Sequence, residues 1–299
     1  MTMTMDDHLS CDPQHRAWRR FRRSKSAWLG AVLVGVFAFM ALSANLIAPY
    51  GPDQRGDETT GQRFPQYQSP SSRFLLGTDQ DGKDILTRVM YGSRLSLIAG
   101  VISIALAVVI GVPAGAIAGY CGRWIDSLIM RTIDVALAFP SVLIALLVAM
   151  AFSTGWAAVI IAVGLINVPV FARQVRATVL TLRELDYVTA SRSLGASHRH
   201  ILIRAILPGI INPVVVLATL GLGMAILEVA GLSFLGVAGD VTEPEWGSML
   251  TQANDSLQNS IWPALGPGVA ISLSILGFNL LGDGLRDALD LKLEGREAT

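Results

Sequence analysis

Long uncharged stretches are the feature that most restricts what this chain can fold into. Trp28 to Ala48 is 21 residues without a charged side chain, and Leu95 to Tyr120 is 26. A helix of about 20 residues crosses a hydrocarbon layer of about 30 Å and satisfies its backbone polar groups internally. Charged residues make up only 15% of the chain, whereas soluble domains have roughly a quarter. The chain is therefore predicted to be an integral membrane protein.

Six apolar stretches are predicted to span the membrane. Four follow the first two, at residues 135–152, 156–172, 206–237 and 263–282. Basic residues between 16 and 25 precede the first span, and six Lys/Arg lie between Arg173 and Arg204. Both groups belong on the cytoplasmic side by the positive-inside rule. We predict an all-α, multi-pass protein of the cytoplasmic (inner) membrane with six transmembrane helices and both termini cytoplasmic.

This topology divides the chain into segments. The predicted order is a basic cytoplasmic segment (1–27), the first span (28–48), an extracytoplasmic loop (49–94), a five-helix core (95–282) and a cytoplasmic tail (283–299). Within the core, residues 183–208 form a polar, basic cytoplasmic stretch in an otherwise apolar region. This stretch is the main candidate for contact with a soluble partner.

The stretch 183–208 has the pattern of two short helices. Glu184 to Leu194 is predicted to be helical, Gly195 to turn the chain sharply and Ser197 to cap a second helix. That helix is amphipathic and is predicted to end at Pro208. A basic amphipathic helix can also rest on lipid headgroups and bind no protein. The residue pattern alone leaves both alternatives open.

The spacing of Ala190, Gly195 and Leu207-Pro208 resembles the EAA motif of ABC-importer permeases. Thr189, Ser191 and Ala205 replace the Glu, the second Ala and the Ile of that motif. In that family the segment forms two helices that seat in a cleft of the ATPase subunit. The resemblance implies that the following residues couple this chain to an ATPase: Ala190, Gly195, Ala196, Ser197, Leu207 and Pro208.

Three other stretches resemble permeases of the dipeptide, oligopeptide and nickel type. They are LGTDQDGKD (76–84), with Lys83 where Arg is usual, EPEWGSML (243–250) and GDGLRDALD (282–290). The resemblance identifies the chain as a C-type permease subunit with a type I ABC-importer fold. It implies a second homologous permease, two ATP-binding subunits and an extracytoplasmic binding protein as partners. No cofactor and no nucleic acid are implied.

No residue pattern predicts catalysis or metal binding. The stretch from Gly77 to Asp84 is close to the P-loop pattern G-x-x-x-x-G-K-[ST]. However, Asp84 replaces the hydroxyl residue that would hold magnesium, and Asp79 would repel phosphate. The four histidines lack zinc-like spacing. Cys11 and Cys121 both lie in segments predicted to be cytoplasmic, so no structural disulfide is expected. ATP hydrolysis is therefore expected in a separate subunit.

Glu228 is the acidic residue that lies within a predicted span. A carboxylate there is costly unless it faces protein or a water-filled path. It is a candidate for the translocation path, with a helix-packing role as the alternative. The predicted function is ATP-driven import of dipeptides or oligopeptides, with glutathione, opines and nickel also possible for this family. The alternatives are an ion-gradient-driven transporter or channel that uses Glu228, and a non-transporting membrane scaffold.

Overall fold

The computed structural model describes residues 21–22, 24–57, 60–151, 155–238 and 244–289. Within these ranges all regular structure is helical, apart from two isolated β-bridges. The tail from residue 290, Cys11 and most of the basic cluster before the first span lie outside the described residues. The helices are α1 (Lys25–Ile47), α2 (Ile85–Cys121), α3 (Arg123–Ala138), α4 (Ser141–Ala151), α5 (Trp156–Leu182), α6 (Asp186–Ser193), α7 (His198–Phe234), α8 (Trp246–Asn254) and α9 (Trp262–Leu289).

Five continuous helices are long and apolar enough to cross a membrane, namely α1, α2, α5, α7 and α9. The third predicted span, 135–152, is instead broken between α3 and α4, whose axes differ by 99°. Phe139 at the break is extended, with φ −98° and ψ 148°, because a residue before proline is disfavoured in the helical region. The 11 residues of α4 extend only about 16 Å. The sixth span is therefore present only if the bent pair counts as one.

All five long helices extend beyond the apolar runs that predicted them, α5 as far as Leu182 and α9 as far as Leu289. α2 begins at Ile85 rather than at Leu95, and Asp84 caps it by accepting a hydrogen bond from the Thr87 amide. The irregular part of the predicted 49–94 loop therefore ends at Asp84. α7 runs without interruption from His198 and passes through Glu228, because a single carboxylate does not prevent helix formation.

The predicted break at Pro208 is wrong, because α7 continues through it. Residues Ile201–Ile206 form a π-helical turn, and the Leu207 amide donates to the Leu202 carbonyl. Pro208 then occupies the first turn of the regular α-helix. The π-helical hydrogen bond directly before Pro208 replaces the regular α-helical pattern, so the helix continues although proline has no N–H to donate. The second half of the 183–208 stretch, from His198, and the fifth long apolar run are thus one continuous helix.

Small residues allow α2 and α5 to pack closely. Gly111, Gly115 and Gly119 recur every four residues along α2, and a Cβ added at any of them would collide with α5. At Gly115 the three nearest atoms all belong to the Ala172 backbone. Close backbone approach of this kind increases van der Waals contact between helices in lipid, where the hydrophobic effect adds little.

The two ends of the bundle carry different structures. The α1–α2 loop lies at the start of α2, whereas Tyr120 at the end of α2 contacts His198 at the start of α7. α2 has 37 residues and so extends roughly 55 Å. The loop and the segment between α5 and α7 therefore occupy opposite ends of the molecule.

Glu245 caps α8 from a fully buried position. Its carboxylate accepts hydrogen bonds from the Ser248 amide at 2.8 Å and from the Ser96 hydroxyl at 3.2 Å. Burial nevertheless raises the pKa of Glu245 above its ordinary value of 4.5, because desolvation disfavours the charged form. The folded protein thus holds this proton to a higher pH than the unfolded chain does.

We expect Glu245→Gln to reduce the loss of stability with rising pH. Between 4.5 and the higher pKa of the folded state, the native protein binds more protons than the unfolded chain, so its stability falls as pH rises. Gln stays neutral and keeps an oxygen for the Ser248 amide. Thermal unfolding of the purified protein from pH 4 to pH 8 should show the wild-type protein losing stability relative to the variant. Parallel curves would contradict the assignment.

Candidate functional site: a coupling segment and a polar seam

The segment between α5 and α7, here called the coupling segment (183–208), turns tightly at Gly195. Gly195 has φ +78°, a left-handed conformation that glycine adopts without strain. Its amide donates to the Arg192 carbonyl at 3.0 Å, and the Ala196 amide donates to the Ser191 carbonyl at 3.1 Å. This pair of bonds is a Schellman motif, which ends α6. The predicted turn is confirmed.

The predicted second helix also begins as expected. Ser197 is extended, and its hydroxyl accepts a hydrogen bond from the His200 amide at 3.3 Å. Ile201 and Ile206 are fully buried while Arg204 is exposed, so the predicted amphipathic pattern is confirmed. The apolar face packs towards α2 and α5 rather than remaining free for lipid.

The coupling segment is fixed to the bundle by apolar and polar contacts. Val188 of α6 is fully buried in a cluster that includes Val175 and Val179 of α5. The Arg183 guanidinium donates to the Gly119 carbonyl at 2.9 Å. The Tyr120 hydroxyl lies 2.9 Å from His198 Nδ1. Displacement of this segment would therefore act on the ends of α2 and α5 as well as on α7.

The structure brings four of the predicted coupling residues together. Ala190, Gly195 and Ser197 are exposed around the turn, and Ala196 there is half-buried. Leu207 and Pro208 are exposed too, but they lie about ten residues further along α7, or roughly 15 Å. The turn and the Leu207-Pro208 pair are thus separate parts of the surface.

Sequence reasoning missed the most exposed apolar side chain of the segment. Leu194 is 88% exposed at the end of α6, and Tyr187 is exposed on the same helix. Large apolar residues exposed on a polar surface mark interaction sites. The available signal was a leucine directly before the turn glycine in an otherwise polar stretch. Leu194 is not one of the positions that the motif defines, so the motif does not identify it.

Two ion pairs join α3 to α5 near the coupling segment. The Arg176 guanidinium donates to both Asp126 oxygens at 2.5 and 2.6 Å. Asp134 accepts from Arg173 at 2.8 Å. Asp134 thus pairs across the α3–α5 contact rather than with Arg131 on its own helix. The bidentate Asp126 pair fixes the position of the bent α3–α4 unit.

Glu228 on α7 contacts a polar residue of α5. The Asn167 side-chain amide donates to the Glu228 carboxylate at 2.7 Å and to the Val163 carbonyl at 2.9 Å. This contact fits the helix-packing alternative. Further along the same helices an open cavity of about 480 Å³ is lined by Gln174, Asn212 and Arg286, together with apolar residues.

Glu228 and the cavity are both reached from α5. Gln174 follows Asn167 by seven residues, so both lie on one face of α5. We call the polar groups on this side of α5, namely Asn167 with Glu228 and Gln174 with the cavity beside it, the polar seam. α7 is also the least buried of the five long helices, which leaves a face of it for other contacts. Among the described residues, no group of His, Cys, Asp and Glu has a metal-binding arrangement.

Comparison with protein families gives two matches along the chain. Residues 111–295, more than half of the sequence, match the family described as "Binding-protein-dependent transport system inner membrane component". Residues 13–70 match the N-terminal transmembrane domain of oligopeptide transport permease C. The second match ends within the α1–α2 loop.

Similar proteins cover nearly the whole chain. The dipeptide transport system permease protein DppC of Alkalihalophilus pseudofirmus is 39% identical, over 97% of this chain and 93% of that protein. The glutathione transport system permease protein GsiD of Pectobacterium atrosepticum is 41% identical, over 94% and 92%. In Escherichia coli O6:K15:H31, GsiD is 42% identical, over 95% and 92%.

A solved structure has a similar fold. An inward-facing MetNI methionine ABC transporter has a chain that superposes with a TM-score of 0.58 at 18% sequence identity. The superposition covers 68% of this chain and 97% of the other. At this identity the likeness concerns the arrangement of helices only.

Proposed function

Since the chain belongs to the family of binding-protein-dependent transport system inner membrane components, we propose that it forms half of a path that imports dipeptides or oligopeptides. It is a permease subunit of an ABC importer and a multi-pass inner membrane protein, not an ATPase. Its similarity to DppC along 97% of its length carries the substrate proposal. Glutathione, carried by the GsiD systems, is itself a short peptide, so both comparisons favour this chemical class.

In the proposed transporter this chain makes four kinds of contact: with a second homologous permease, with two ATP-binding subunits, with an extracytoplasmic binding protein and with lipid. The coupling segment faces the cytoplasm, and so do both termini. Arg173, Arg176, Arg183, Arg192 and Arg199 all lie in or beside the coupling segment, which supports this orientation by the positive-inside rule.

In the proposed mechanism, the ATPase subunits close on ATP and displace the tip around Gly195. The contacts of Arg183 with Gly119 and of Tyr120 with His198 pass this displacement to α2. The continuous helix from His198 passes it along α7. Tilting of α7 against α5 then opens the polar seam to one side at a time, as in alternating access.

Reconstitution of the complete transporter in lipid vesicles tests the proposed function. Uptake of trialanine should require both ATP and the peptide-loaded binding protein, and should continue when ionophores abolish ion gradients. Uptake driven by an ion gradient without ATP would instead support the secondary-transporter alternative. A purified complex that contains no ATPase subunit would support the scaffold alternative.

We expect Glu228→Gln to lower peptide uptake several-fold without loss of thermal stability. Gln is nearly isosteric and still accepts the Asn167 hydrogen bond, so helix packing is kept while the charge is removed from the proposed path. Glu228→Leu, which removes both, should reduce stability as well. Uptake by vesicles and thermal unfolding are measured on the same preparations. Full uptake by the Gln variant would mean that Glu228 serves packing alone.

A further inference from the structure

The α1–α2 loop, residues 49–84, packs around an aromatic cluster of its own, and we call it the cap. The rings of Tyr50, Phe64 and Phe74 form a cluster with centroid distances of 5.0, 5.1 and 5.6 Å. Gly77 and Gly82 have φ of +82° and +81°, and a Cβ at either would collide with a backbone carbonyl. Long irregular loops in compact proteins are uncommon and usually functional.

The cap is fastened to the helical bundle. Gln80 contacts Ser256, which follows α8, at 3.0 Å, and Tyr67 contacts the same serine at 3.4 Å. The buried Lys83 ammonium lies 2.7 Å from Asp53, and buried Arg88 of α2 lies 3.8 Å from Asp79. A force applied to the cap therefore reaches α2, which extends to the coupling segment.

Folding buries, fully or in part, most of the acids in the described part of the cap and leaves its arginines exposed. Asp79, Asp84 and Lys83 are buried, and Asp57 and Asp81 are half-buried. Among the described residues of the cap, the exposed charged residues are Arg55, Arg63, Arg73 and Asp53. The sequence interleaves acids with bases, whereas in the part of the cap that the structure describes three arginines are exposed against one acid, Asp53. Such a face attracts an acidic partner.

The exposed arginines can exchange their present ion-pair partners for acids of another protein. Arg55 pairs with Asp81 and Arg73 with Asp57, each at 3.1 Å, and the two arginine side chains are 52% and 53% exposed. Exposed pairs of this kind contribute little to stability. Arg63 has no ion pair with any acid in the described part of the chain. Leu75, 62% exposed, adds an apolar contact beside a cationic rim, a combination typical of protein interfaces.

The location of the cap points to one partner. It lies about 55 Å from the coupling segment by the length of α2, so a cytoplasmic coupling segment places the cap on the opposite side of the membrane. We propose that the arginine face of the cap docks an acidic surface on one lobe of the extracytoplasmic binding protein. This inference rests on the proposed function, which requires such a protein.

The test measures ATP hydrolysis by the complete transporter in lipid nanodiscs, as its binding protein loaded with trialanine is titrated. Arg63→Glu should raise the half-maximal concentration of binding protein about tenfold, since it replaces attraction with repulsion. The maximal rate and the basal rate should stay unchanged. Arg63→Lys keeps the charge and should behave as the wild-type protein. Added salt should raise the half-maximal concentration more for the wild-type protein than for Arg63→Glu.

Two failures are distinguishable. A wild-type transporter that is not stimulated by the loaded binding protein would overturn the proposed function and, with it, this docking surface. A wild-type transporter that is stimulated, together with an Arg63→Glu variant of equal half-maximal concentration, would overturn the docking surface alone. A variant that changes only the maximal rate would also overturn it, because that pattern reports a defect after docking.

Discussion

Gly195→Arg is expected to reduce ATP-dependent uptake to background while the protein remains folded in the membrane. No atom lies within 4 Å of a Cβ added at Gly195, so the new side chain projects outward from the exposed turn. The positive φ adds strain of about 1–2 kcal/mol, which is small beside the loss of a fitted docking surface. Uptake into vesicles and the membrane content of the variant are measured together.

Gly195→Asn is the matched control for the backbone. Asparagine tolerates the left-handed conformation better than other non-glycine residues do, and its side chain is short. It should retain most of the uptake, whereas arginine at the same position should not. Wild-type uptake by Gly195→Arg would show that the turn does not contact the ATPase.

Gly115→Leu is expected to prevent stable assembly of the bundle. A side chain there would meet the backbone of Ala172, which cannot rotate away, so α2 and α5 must separate. Overpacking a core costs typically about 1–3 kcal/mol, and a backbone collision lies at the upper end of that range or beyond. The yield of monodisperse protein and its melting temperature in detergent should both fall sharply.

Gly35→Leu provides the comparison for this packing prediction. Gly35 also lies within a long apolar helix, but nothing lies within 4 Å of a Cβ added there. Replacing glycine in a helix interior by a better helix former stabilises the helix slightly. The melting temperature should therefore be unchanged or higher. An equal fall for both variants would show that leucine is harmful for a reason other than contact with α5.

Local features were predictable from the sequence, and long-range ones were not. The turn at Gly195 and the helix start at Ser197 depend on a few adjacent residues, so the local sequence pattern is sufficient to predict them. The partner of Glu228 is Asn167, 61 residues away, and no local signal identifies it. The exposed arginine face of the cap was equally hidden, because burial of Asp79 and Asp84 is a result of folding.

The helix boundaries were also only partly predictable from the sequence. Apolar runs located α1, α5 and α9, since burial in lipid and helix length are coupled, but they ended before the polar last turns of α5 and α9. The break at Phe139 follows from the local preference of a residue before proline, yet a continuous apolar run concealed it. At Pro208 the proline suggested a break, but the π-helical turn before it allows the helix to continue. Proline marks a strained position without fixing how the strain is relieved.

Photo-crosslinking from Leu194 tests most directly the central claim, namely that the coupling segment binds a separate ATPase subunit. A benzophenone amino acid replaces Leu194 in the complete transporter, and the same probe replaces Leu46 of α1 as a control of equal exposure, 88%. The Leu194 probe should crosslink to an ATP-binding subunit and the Leu46 probe should not. Crosslinks from position 194 to the binding protein, or to lipid alone, would contradict the account.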